Sequence, residues 1–133
     1  MARREPALAA ALCSAGSLLG LVPHLMEDLV SGIPERFGIS HLVFEWSMGV
    51  AVASTVVAAV LAVRGRRRAL IAAAVIGVGW VLAAVLDHPG AFTPDAFREG
   101  LSSRLWVWIV TIGQGAAAVF AIAALRRSGA TRR

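Results

Sequence analysis

His24, Glu27 and Asp28 stand at i, i+3 and i+4 in the stretch "LVPHLMEDLVSG". That spacing puts three side chains on one face if a helix runs on through Pro23. Pro23 also allows the opposite outcome, a kink or a separate interfacial turn. His41 and Glu45 are again i, i+4, and Asp87 and His88 are adjacent, just before Pro89. The proline biases His88 away from helical geometry. Imidazoles and carboxylates are the groups of proton transfer and of borderline metal coordination. The single cysteine, Cys13, excludes an internal disulfide and a cysteine-based metal site. The Glu-x-x-His pattern of di-iron bundles is absent; His-x-x-Glu stands here once, in reverse order. No metal and no cofactor are therefore expected, and the first expectation for these groups is a hydrogen-bonded cluster that ties helix ends together. If they act chemically, the candidate catalytic residues are Glu45, His24, Glu27, Asp28 and Asp87. The candidate ligand-binding residues are His41, His88, Trp46, Trp80 and Gln114. Glu45 lies inside an apolar run between Phe44 and Trp46. An acid facing lipid there is costly, so it is expected to point into the bundle.

The elements that carry these residues are four apolar runs, at about 6–22, 42–63, 69–86 and 105–125. A spanning helix needs roughly 17–25 such residues. Of the 133 residues, 58% are hydrophobic and only 16% charged, and the mean hydropathy is +0.74. A soluble domain of this size has no interior large enough for so much apolar surface. The runs do not alternate as the strands of a membrane barrel do. The expected fold is an all-α, integral membrane four-helix bundle in a single domain, placed in the cell membrane with the lipid bilayer as its main partner. The first run has the basic start and apolar centre of a signal peptide. More apolar runs follow instead of a polar domain, so it is read as an uncleaved helix.

All 13 basic residues are arginine, and the net charge is +5. Ten of them fall before the first run, in "RGRRR" at 64–68, and in the closing "RRSGATRR". This clustering at the ends of apolar runs is a topology signal, and no nucleic-acid partner is expected. By the positive-inside rule it places both termini in the cytoplasm. The connections at about 23–41 and 87–104 then face outward. They hold, in or just beneath them, seven of the eight acids and all three histidines. In the second connection, "TPDAFREG" predicts a short interfacial helix at about 94–99, capped by Thr93. Trp46, Trp106 and Trp108 form an expected aromatic belt at the outer interface. Gly16, Gly20, Gly77, Gly79, Gly113 and Gly115 are read as close-packing positions.

A shift of 62 residues lays "RFGISHLVFEW" on "REGLSSRLWVW" and Arg64 on Arg126. It suggests an internal duplication into two helical hairpins. Glu45 then falls on Val107 and His41 on Ser103, so the first hairpin would be the specialised one. Three functions are compatible with these features. The first is binding of a small lipophilic ligand, an ion or a partner at the outer end of the bundle. The second is an acid–base enzyme of cyclase or isomerase type, acting on a lipophilic substrate through Glu45 and the neighbouring His and Asp. The third is a proton- or metal-coupled transporter subunit, which a chain this small could form only as a homo-oligomer.

Overall fold

The computed structural model describes residues 4–93 and 100–130. The described residues are almost wholly helical, with no strand among them. Helix α1 runs Arg4–Val30, α2 Ile33–Arg36, α3 His41–Val63, α4 Arg67–Asp87 and α5 Gly100–Ala130, with a 3-10 turn at Pro89–Phe92 between α4 and α5. Helices α1, α3, α4 and α5 are each long and apolar enough to cross a membrane. They are the four apolar runs, lengthened at their ends. Pro23 lies within α1 and does not end it, so His24 and Asp28 do share a helical face. Short α2 was not anticipated, and the helix expected at 94–99 lies outside the described residues.

The four long helices form an antiparallel ring. Helix α1 touches α3 and α5, and α4 touches the same two, with the most extensive contact between α1 and α5. Helix α3 is the least buried, at 22% of its apolar window against 39% for α1. The turn from α3 to α4 takes only Arg64–Arg66, closed by Gly65 at φ 64° with its N–H on the Ala62 carbonyl at 2.8 Å. The connection from α2 to α3 closes in a similar way at Gly38, φ 71°, before Ser40 caps α3 by accepting from the Val43 N–H.

The core has three levels. At the arginine-rich end, Ala7, Ala10, Ala58, Ala62, Ala73, Ala121 and Ala124 surround Leu70. In a bilayer lipid is as apolar as leucine, so small residues that admit close backbone approach hold helices together. The middle level is polar. The Gln114 amide donates to Ser17 Oγ at 2.7 Å, and the Ser17 hydroxyl donates to the Ser14 carbonyl at 2.7 Å. Gln114 is fully buried, and its Oε1 has no hydrogen-bond partner among the described residues. At the far end lie Ala84, Ala91, Val107 and the histidines.

Three glycines set the helix crossings. A Cβ on Gly113 would lie 2.7 Å from Ser17 Cβ, one on Gly20 2.8 Å from Ile109 Cβ, and one on Gly77 2.7 Å from the Gln114 carbonyl oxygen. Gly16 and Gly79 have open space instead, so half of the Gly16/Gly20 pair does not pack. The outer faces carry the large side chains, among them Leu19, Trp46 and Leu86, all at least 70% exposed.

Candidate functional site

His24 comes from the inner face of α1, in line with Ser17 and Leu21, and is 6% exposed. Asp28 lies one turn further on the same face. His88 is the C-cap residue of α4, and its backbone N–H still bonds the Ala84 carbonyl at 3.0 Å. Pro89 then turns the chain aside into the 3-10 turn. Arg104 secures that turn, donating from Nη2 to the carbonyls of Gly90 and Thr93 at 3.1 and 3.0 Å. The indole N–H of Trp108 donates to the Ala91 carbonyl at 3.1 Å, and Phe92 packs edge-on against the Trp108 ring.

The result is a compact three-residue cluster. His24 Nε2 and His88 Nε2 are 3.0 Å apart, with the rings edge to face. Asp28 Oδ2 is 3.7 Å from His24 Nε2. Ser103 Oγ, from α5, stands 3.4 Å from the other nitrogen of His24, Nδ1. One ligand atom from each of His24, Asp28 and His88 falls within 4.8 Å of the others.

The cluster forms one end of a partly enclosed cavity of about 150 Å³. Leu21 and Leu25 of α1, Phe44 and Met48 of α3, Ala83 and Ala84 of α4, and Val107 and Val110 of α5 supply apolar walls. Trp80 closes one side. Its ring is fixed by an indole N–H donated to Thr55 Oγ1 at 3.0 Å, while the Thr55 hydroxyl donates to the Ala51 carbonyl at 2.8 Å. Asp87 adds a second carboxylate to the lining. The cavity is therefore greasy along its length and polar at one end. A larger apolar groove of about 420 Å³ runs outside α1 and α5, along Gly16, Ile109 and Ile112; it is open and carries no comparable polar cluster.

Of the ten residues singled out from the sequence, five border the cavity: His24, Asp28, Trp80, Asp87 and His88. Glu27 lies beside them, accepting from the Trp106 indole N–H at 3.2 Å. Gln114 lies deeper, bonded to Ser17, and the alanine layer closes the bundle beyond it.

The remaining three stand apart. Glu45 does not point into the bundle; it is exposed on α3. The inner stripe of α3 is Phe44, Met48, Thr55, Ala58 and Ala62, and Glu45 falls about 100° around the helix from Phe44. It stands one turn from the start of α3. His41 pairs with Glu35 on the surface, and Trp46 is 70% exposed. Ser103, Val107 and Val110 were missed. The one signal for them is helical register with Gln114, a lone amide in an apolar run: positions 103, 107 and 110 precede it by 11, 7 and 4 residues and so share its face. Positions related by the 62-residue shift also differ in environment: His41 and Glu45 are exposed, whereas Ser103 and Val107 are buried. Protein-family models, characterised proteins and solved structures all yield no significant match to this chain.

Proposed function

We propose that this chain is a multi-pass protein of the cell membrane, with both termini cytoplasmic, that binds a small lipophilic molecule bearing one polar group. The observation that carries this reading is the cavity of about 150 Å³, walled by apolar side chains and ended by His24, Asp28 and His88. An apolar cavity of roughly 150 Å³ has room for a benzene-sized ring, so the occupant is a single ring, or the ring-sized end of a longer lipophile. The polar group would hydrogen-bond to the imidazole–carboxylate end and fix orientation. The cytoplasmic placement of the termini rests on the arginines at the opposite end of the bundle. A common origin of the two hairpins rests on the 62-residue register of the sequence.

A second reading, acid–base catalysis on such a molecule, draws support from Asp28 beside His24 at the cavity end. In that reading His24 and Asp28 take the place of Glu45.

The test uses 4-bromophenol, a ring-sized lipophile with one hydroxyl whose bromine quenches indole fluorescence. In detergent micelles the wild-type protein is expected to show a saturable quenching component from Trp80. Filling the cavity with Ala84→Phe should abolish that component. Quenching that rises linearly with 4-bromophenol and is the same in Ala84→Phe would refute the proposal.

A further inference from the structure

We propose that His24, Asp28 and His88 form a binding site for one borderline divalent metal ion of the zinc, iron(II) or cobalt(II) class. The inference adds a ligand to the same end of the bundle but does not need the cavity to hold a lipophile.

The geometry comes first. Two imidazole Nε2 atoms 3.0 Å apart cannot both present lone pairs to each other without repulsion. Something positive must lie between them: a proton, or a metal ion. With metal–nitrogen bonds of roughly 2.0–2.1 Å, neighbouring ligand atoms sit about 2.8–3.0 Å apart in an octahedral and about 3.3–3.4 Å apart in a tetrahedral arrangement. The His24–His88 separation matches the octahedral spacing, whereas the His24–Asp28 separation of 3.7 Å is longer, and the three ligand atoms, spread over up to 4.8 Å, must draw together around an ion.

The surroundings point the same way. A metal-bound imidazole holds its proton on the nitrogen away from the metal, where an outer group accepts it. Ser103 Oγ is 3.4 Å from His24 Nδ1, and a proton held there leaves Nε2 as the donor atom. His88 stands at the C-terminal end of α4, where the helix dipole favours a cation. The Asp28 side chain is only 13% exposed, and a carboxylate so far withdrawn from water gains from a countercharge. Two nitrogens and one oxygen, without thiolate, suit zinc, iron(II) or cobalt(II) better than copper(I) or calcium. The sequence hid this set because His24 and His88 are 64 residues apart and no local metal motif contains both.

Cobalt(II) chloride is the probe, because its visible absorption reports both binding and coordination number. The chelator-treated full-length protein in detergent is expected to bind one equivalent saturably, and zinc chloride should displace the cobalt. Asp28→Asn should weaken binding by more than about tenfold. His88→Ala should abolish it, while His41→Ala, at the exposed Glu35 pair, should leave it unchanged. No saturable absorption in the wild type would overturn the proposal, and so would a signal lost in His41→Ala but kept in Asp28→Asn. If His88→Ala does not fold, the wild-type titration and Asp28→Asn decide. Cobalt binding can fail while 4-bromophenol quenching persists, so failure here is distinct from failure of the cavity reading.

Discussion

Gly77→Ala and Gly113→Ala are each expected to destabilise the bundle by about 1–3 kcal/mol, although each adds only one methyl group. A Cβ at Gly77 would lie 2.7 Å from the carbonyl oxygen of Gln114 and 3.1 Å from Ala118 Cβ. At Gly113 it would meet Ser17 Cβ at 2.7 Å and the Cys13 carbonyl oxygen at 3.2 Å. These neighbours are backbone atoms or atoms fixed to the backbone, so no side chain can swing away, and the helices themselves must separate. Separation strips packing from α5, which contacts both α1 and α4. In lipid, close packing is the main attraction between helices. Gly16→Ala and Gly79→Ala are the controls. Both positions are open, and alanine is favoured over glycine inside a helix by about 1 kcal/mol. They should be neutral or slightly stabilising. Reversible unfolding in mixed micelles, followed by circular dichroism, separates the two pairs. Equal effects at all four sites would mean that α5 does not cross its neighbours at Gly77 and Gly113.

Leu70→Ala is expected to cost about 2 kcal/mol or more. Leu70 is fully buried and is the one large side chain among seven buried alanines from all four long helices. The buried alanine neighbours have no rotamers with which to fill the space, and only the half-buried Ile76 and Leu125 at its border can lean toward it. With the helices spanning a bilayer as proposed, the transfer contribution familiar from soluble proteins is small, because a separated helix meets lipid and not water. What is lost is dispersion contact around the vacated volume. Leu86, by contrast, is 76% exposed, and Leu86→Ala should stay within about 0.5 kcal/mol of wild type. The same unfolding measurement compares them. A Leu86→Ala loss as large as that of Leu70→Ala would mean that a protein partner, and not lipid, covers the outer face of α4.

Both predictions bear on what the sequence could reveal. The four long helices were legible because each apolar run is long enough to span and is bounded by arginine or by loop residues. The inner faces were not legible from hydrophobicity, since a membrane helix is apolar all round and its periodicity fades. Residue size carries the signal instead. Ala58, Ala62, Ala73 and Ala121 face inward, while Leu19, Leu82 and Leu86 face outward. Glu45 is expected to face inward and does not, for this reason: Phe44 takes the inward position. Pro23 could have ended α1, and only the structure shows the helix continuing, which brings Asp28 under His24. The meeting of His24, His88 and Ser103 depends on three helices sharing one level, and no local spacing encodes that.

The central claim is that His24 of α1 and His88 of α4 meet nitrogen to nitrogen at one end of the bundle. Nitrogen-15 NMR of the histidine-labelled, metal-free protein in micelles tests it directly. A scalar coupling between His24 Nε2 and His88 Nε2 across a shared hydrogen bond is predicted, with His41 showing none. Three imidazoles with no nitrogen–nitrogen coupling between any two of them would contradict the account.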